Sequence, residues 1–199
     1  MLFIAAIAMV VGVVLGFLRG GSITQLMSLS IRHTWLVVVA FTVQALMFAT
    51  PLQDSLGDAV APLLMLSNLA VIAMVALNWR VPGLPIFAIG LFANTLVMLL
   101  NGGYMPVSAE ALRAAGMEDR AEQLLALDHH DKSQLMTPET RLPFLGDVIA
   151  LRPVERVISV GDVFVGAGVA WLIAAGMTRP VTVPAPLPTP RTRNDERLA

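Results

Sequence analysis

There is no cysteine among the 199 residues. That excludes disulfides, thiolate metal sites and thiol nucleophiles, and leaves the redox compartment unreadable. Charge is scarce too: Asp, Glu, Lys and Arg make up 14% of the chain, against about a quarter in a typical soluble domain. The first hundred residues hold only Arg19, Arg32, Asp54, Asp58 and Arg80, with no block of bases. With a formal net charge of -1, nothing in the chain suits nucleic acid as a partner. What is abundant is apolar: 56% hydrophobic residues and a mean hydropathy of +0.75. An ordinary water-soluble domain is thereby excluded, and the lipid bilayer becomes the expected partner.

A hydrocarbon core about 30 Å thick needs roughly 20 apolar residues at 1.5 Å rise each. Five stretches come near that length: Met1–Leu18, Thr34–Ala49, Val60–Asn78, Leu84–Leu100 and Val157–Met177. The expected fold class is therefore all-α, a polytopic transmembrane helix bundle of about five spans with a partly helical extracytoplasmic segment. Residues 1–100 form the four-span region, 101–156 the extracytoplasmic segment and 157–177 the fifth helix. Residues 178–199, with Pro180, Pro184, Pro186, Pro188 and Pro190, read as a disordered cytoplasmic tail. The first run lacks a basic leading region and a small-residue cleavage site before Arg19, so it reads as a retained anchor. Arg19 and Arg32 in the first loop and Arg80 in the third, against Asp54 and Asp58 in the second, orient the chain by the positive-inside rule. The N-terminus is then outside and the C-terminus inside a bacterial cytoplasmic membrane.

Two stripes of small residues, Ala8-Gly12-Gly16-Gly20 and Gly166-Ala170-Ala174, would let helix backbones approach closely. They suit contacts inside one monomer, or an interface with membrane-protein partners. Gln44, Asn68 and Asn94 fall in mid-span and should point into the bundle as hydrogen-bonding glue.

Chemistry concentrates beyond residue 100. Asn101-Gly102-Gly103-Tyr104-Met105-Pro106 should turn sharply at the outer surface, with Asn101, Gly102 and Gly103 as candidate binding residues. Ser108 can cap a helix over Ala109–Leu127, with Leu112, Ala115, Leu124 and Leu125 on its apolar face. Asp128-His129-His130-Asp131-Lys132 has metal-ligand composition, but adjacent histidines diverge on a helix or a strand and match no zinc spacing. No metal or cofactor is implied. Thr137-Pro138-Glu139-Thr140 resembles a helix start.

Asp162 is the most informative acid. It lies about five residues into the fifth span, where a bare carboxylate is costly and must pair, protonate, face water or work. Asp147 sits fifteen residues earlier in a similar Gly-Asp-Val context. If that stretch folds back, Asp147, Asp162 and Asn101 could meet at the outer interface as a pair of catalytic carboxylates with a substrate-orienting amide. The competing reading has each acid capping a helix or pairing with Arg152 or Arg156.

Gly20-Gly21, Gln44, Asn101-Gly-Gly-Tyr-Met-Pro-Val107, Thr140 with Phe144-Leu-Gly-Asp147, and Ile158-Ser-Val-Gly-Asp162 together resemble a family of bacterial multi-pass membrane proteins catalogued as domain of unknown function 5317. That resemblance implies no activity. Locally, Ile158 to Gly168 is similar to the start of the last helix of lipoprotein signal peptidase, and by that likeness Asp162 would match a catalytic aspartate. The peptidase's other aspartate falls where this chain has Pro138. The function expected is a non-catalytic membrane module, either a complex subunit or a small-solute or lipid-binding protein, with a polar pocket at the outer face. The alternative is a membrane-interface aspartyl hydrolase.

Overall fold

The computed structural model describes residues 2–49, 60–127, 129–130 and 133–179. Within these, apolar helices form one layer and a small mixed sheet caps one end of it. The helices are α1 (Leu2–Leu18), the short α2 (Ile23–Met27), α3 (Trp35–Ala49), α4 (Val60–Leu77) and α5 (Leu84–Leu100), with α8 (Val160–Met177) closing the layer. Between α5 and α8 come β1 (Met105–Val107), α6 (Ala109–Ala114), α7 (Glu118–Leu127), β2 (His129–His130), β3 (Ser133–Leu135), β4 (Asp147–Leu151) and β5 (Arg156–Ser159).

Helix α8 is the centre of the helix layer, flanked by α1 on one side and α5 on the other; α4 then packs on α5, and α3 on α4. Backbones come close at α8 because glycines line its seams. A Cβ on Gly12 would lie 2.8 Å from the Ala170 carbonyl, and one on Gly16 would run into Met177. Gly166 faces Ile4 and Ala8, so the two small-residue stripes meet each other within the monomer. On the opposite side Gly90 faces the Gly161 backbone, and Gly168 faces Phe87. A core of Ala40, Val71, Met74, Val75, Leu84, Leu91 and Val165 fills the space among α3, α4, α5 and α8. The mid-helix amide Gln44 donates to Ser67 Oγ at 2.8 Å and to Asn68 Oδ1 at 3.2 Å, tying α3 to α4.

The sheet runs in the order β2-β3-β1-β4-β5. Strand β1 is parallel to both β3 and β4, while β2–β3 and β4–β5 are antiparallel. Its own small core of Val107, Leu112, Ala121 and Leu124 joins α6 and α7 to the strands. Ser108 caps α6 by accepting from Ala111 N at 3.2 Å, and the helix expected over Ala109–Leu127 is interrupted at Gly116, whose φ of 79° is left-handed. Leu112, Ala115 and Leu124 are buried as the apolar pattern requires; Leu125 is 63% exposed. Thr137–Thr140 form a turn rather than a helix start, with Thr140 Oγ1 accepting from Thr137 N at 2.8 Å. His129 and His130 lie in the β2–β3 hairpin, while Asp128, Asp131 and Lys132 fall outside the described residues, as do Asp54, Asp58 and the tail from 180 to 199.

Two corrections to the expected class follow. The fold is not all-α: five strands occupy the segment expected to be partly helical, and β5 takes Val157–Ser159, so the last helix begins at Val160. These strands are two to five residues long, too short for a period of two to show in the sequence. Nor does the structure support about five spans. Among the described residues α8 alone, at 18 residues, is long and apolar enough to cross a membrane by length and composition. Phe3–Leu18, Trp35–Leu46, Pro62–Leu77 and Leu84–Leu100 are apolar but shorter.

The α5–α8 seam leaves no room for one added methyl. Gly90→Ala should cost about 3 kcal/mol, whereas the neighbouring Ile89→Ala, at a side chain 55% exposed, should change stability by under about 0.5 kcal/mol. Thermal unfolding of the two purified variants in detergent compares them.

Candidate functional site

Where the sheet meets the helix layer, the chain passes from β5 into α8 through one residue, Ser159, which is fully buried. Its extended backbone (φ -90°, ψ 164°) ends the strand and makes it the N-cap of α8. The hydroxyl accepts from Asp162 N at 2.9 Å, and Ser159 N donates to Asp162 Oδ2 at 3.5 Å, completing a capping box. Such a box satisfies amide donors that a helix start otherwise leaves open, and the acid sits where the helix dipole favours negative charge. Asp162 is therefore held at the first turn of α8 by the helix it begins.

Asn94 of α5 reaches the same group. Its Nδ2 donates to Asp162 Oδ1 at 2.9 Å, and its Oδ1 accepts from Ser159 Oγ at 2.8 Å. Asn94 is 1% exposed and Asp162 7%. The approach depends on Gly161, whose missing side chain leaves the place the amide occupies. Buried polar groups of this kind must be bonded, because an unmet carboxylate or amide costs more than a good hydrogen bond returns.

Asp147 opens β4, directly across from Ser159 in the antiparallel β4–β5 pair. Opposed residues share a face of the sheet, which brings Asp147 to the side on which the Ser159 network lies. Both acids line one cavity of about 490 Å³, together with Asn94, Arg120, Ser133 and Arg156. Its apolar wall includes Phe3 and Ile4 from α1, Met98 from α5, and Leu112 and Met117 from the α6–α7 unit. The cavity is thus lined by two aspartates, two arginines, Asn94 and Ser133 beside an apolar wall.

Asn101, Gly102 and Gly103 lie outside that lining. Asn101 Oδ1 accepts from Arg141 N at 2.9 Å, and Nδ2 donates to the carbonyls of Arg141 (2.9 Å) and Val97 (2.7 Å). The amide clamps the returning loop to the end of α5. Gly102 and Gly103, with φ of 72° and 92°, make the left-handed turn that leads α5 into β1. Pro138, the position of the peptidase's second aspartate, is in the exposed Thr137–Thr140 turn. Next to it, Glu139 is held below the usual carboxylate range by the Thr137 hydroxyl and its own backbone amide, with slight desolvation opposing them.

Sequence reasoning picked out Asp147 and Asp162 and took Asn94 for interhelical glue; it missed Ser159 as the buried cap beneath the site and Arg120 and Arg156 as cavity residues. Ser159-Val-Gly-Asp162 carries the Ser-x-x-acid signal of a capping box. Arg120 and Arg156 give no such signal, since a solvated arginine looks the same in sequence.

Fold and site define a class: apolar helices capped at one end by a small mixed sheet, with a charged, ligand-sized cavity at the junction. The chain belongs to the family of unknown function DUF5317, which it matches over residues 28–174. No curated protein and no solved structure matches it significantly.

Removing Asn94 strands two buried partners. Asn94→Ala should cost about 3 kcal/mol and Asp162→Ala about 2 kcal/mol, whereas Asp162→Asn keeps the oxygen that accepts from Asn94, turns an NH2 toward Ser159 N at the longer 3.5 Å contact, and should cost about 1 kcal/mol. Chemical denaturation in detergent ranks the three, and an equal loss for Asp162→Asn and Asp162→Ala would contradict the capping role.

Proposed function

We propose that this is a membrane protein that binds a small ligand with a charged head and an apolar body in the cavity between sheet and helices, and does not transform it. The observation that carries this reading is the composition of that cavity: Asp147, Asp162, Arg120 and Arg156 set in an apolar wall, at about 490 Å³. Binding sites of roughly 300–1,000 Å³ with an apolar lining and a few placed polar groups are the usual form of a small-molecule pocket. Both oxygens of Asp162 already accept hydrogen bonds from the protein, which suits a carboxylate engaged in holding the fold better than one turned free toward a substrate.

The membrane part of the proposal is supported by the outer faces of the helices. Val10 (64% exposed), Phe17 (54%), Val38 (64%), Leu66 (63%) and Phe92 (58%) turn apolar side chains outward, and α1 contains no polar residue at all. Soluble monomers rarely present continuous apolar surface on this scale. Helix α8 would cross the bilayer, with the sheet outside and the C-terminus inside, in a bacterial cytoplasmic membrane.

The second reading, an aspartyl hydrolase pairing Asp147 with Asp162, is favoured by their sharing one cavity. Native mass spectrometry of protein released from mild detergent distinguishes the two. A binding protein retains one small molecule per chain in the wild type and loses it in Arg156→Glu, a change at an exposed side chain. A hydrolase accumulates bound substrate only in Asp147→Asn. No adduct in any variant would overturn both.

Orientation is tested in the cysteine-free background. In intact cells a membrane-impermeant maleimide should label Glu110→Cys, on the sheet side, and spare Ser28→Cys, at the opposite end of the helices. Equal labelling would overturn the proposed topology.

A further inference from the structure

A second cavity, of about 460 Å³, lies in the helix layer away from the sheet. Val37, Val38 and Phe41 of α3 form one bank, Val165, Val169 and Leu172 of α8 the other, and α4 and α5 supply the floor. Its lining is almost wholly apolar; the polar exceptions are Thr34 at one end and Gln44 and Asn68 at the other, and the last two hydrogen bond to each other. From Thr34 to Gln44 the furrow runs about 15 Å at helical rise. That is a groove for one extended hydrocarbon chain rather than for a compact solute.

The end marked by Ile31, Thr34 and Leu84 opens at the face remote from the sheet, and its chemistry is one-sided. The loops there carry Arg19, Arg32, Arg80 and Arg179 and no Asp or Glu; every described acid lies between Glu110 and Asp162. Two of these arginines, both exposed, stand on chain segments that are tied together next to this end of the furrow. Asn78 Oδ1 accepts from Arg32 N at 2.9 Å, and Asn78 Nδ2 donates to the Arg32 carbonyl at 2.8 Å and to the Met74 carbonyl at 2.7 Å. The clamp seats Arg32, between the furrow residues Ile31 and Thr34, against the chain that two residues later presents Arg80. Arg80 stacks over Trp79 at 5.5 Å, and Arg19 over Trp171 at 5.0 Å. Such pairs set a cation and an amphipathic ring at one level, the arrangement found where a protein meets lipid headgroups.

We infer that the furrow holds one acyl chain of an anionic phospholipid, whose phosphate-bearing head lies on the arginine rim between Arg32 and Arg80. The inference rests on the membrane reading but not on the cavity at the sheet, from which it differs in place and lining. Charge complementarity selects the occupant. A rim without acids attracts an anionic head and gives a zwitterionic one no partner for its cation. Near an anionic lipid surface each arginine contributes about fivefold to binding, so two give about a thirtyfold preference.

The test uses the full chain in mild detergent, with dioleoyl phosphatidylglycerol and dioleoyl phosphatidylcholine as probes and native mass spectrometry as the readout. The wild type should bind one phosphatidylglycerol about thirtyfold more tightly than phosphatidylcholine. Arg32→Gln with Arg80→Gln should bring the two lipids to near parity while keeping one bound. Val169→Phe, which fills the furrow, should lose both lipids; Val38→Phe, at a side chain 64% exposed, does the same with less risk to folding. Equal binding of the two lipids by the wild type overturns the inference. So does an undiminished phosphatidylglycerol preference in folded Val38→Phe, which would place the lipid on the rim alone. Recovery of the protein in the soluble fraction of cells would instead overturn the membrane reading.

Discussion

The buried hydrogen-bonded triangle of Ser159, Asp162 and Asn94 fixes how the two parts of this protein join. Ser159 ends a strand and begins a helix, and its hydroxyl bonds at once to α8, through Asp162 N, and to α5, through Asn94. Strand β4 reaches the same residue by pairing Asp147 opposite it. Sheet, central helix and neighbouring helix therefore share one residue that solvent does not reach. Glycine packing brings the α5 and α8 backbones close, but dispersion between small residues has little directional preference. The amide of Asn94 sets the register, since only one axial offset brings it to both partners.

This junction also explains why a carboxylate sits at the edge of an apolar helix. Asp162 serves its own helix as cap, and its carboxylate accepts from two donors that the fold supplies, the Asn94 amide and the Ser159 backbone. The cost of burying its charge is met before any ligand arrives. Lining the cavity is then a consequence of position, and the carboxylate offers a fixed negative potential rather than an unsatisfied acid. Asp147 stands on the facing strand, and Arg120 and Arg156 balance the pair in charge.

How much of this could be read from the chain depended on the length over which each signal repeats. The apolar helices were legible, because runs such as Leu84–Leu100 keep one character for several turns; their capacity to span a membrane was overread, because length decides that and most fall short. The small-residue stripes were legible as close-packing faces, and the structure joins them at the α1–α8 seam. The sheet was not legible. Its strands hold two to five residues each, and the parallel neighbours of β1 come from segments 28 and 40 residues further along the chain in register, Met105 with Ser133 and Val107 with Asp147. Pairing of that kind leaves no local trace. Of the site, Asp162 stood out because it falls inside an apolar run and Asp147 because it repeats the Gly-Asp-Val context, whereas Asn101 drew attention through its glycine turn and proves to hold a loop to its own helix end.

The distribution of charge gives the molecule a direction. All described acids gather with the sheet, and among the described residues the opposite end of the helices carries Arg19, Arg32, Arg80 and Arg179 and no acid. The hydrogen bonds of Asn78 hold part of that basic end in place from within the helix layer, so its position depends on packing and not on solvent-exposed ion pairs, which contribute little. The apolar furrow opens toward the basic end, while the charged cavity lies under the sheet. Two recesses of opposite character thus lie along α8, the charged one at its first turn with Asp162 and the apolar one further on, at Val165, Gly168, Val169 and Leu172. Along the α5–α8 seam a Cβ on Gly90, Gly161 or Gly168 would overlap the facing helix, so close packing and the Asn94 hydrogen bonds together hold α8 in one register.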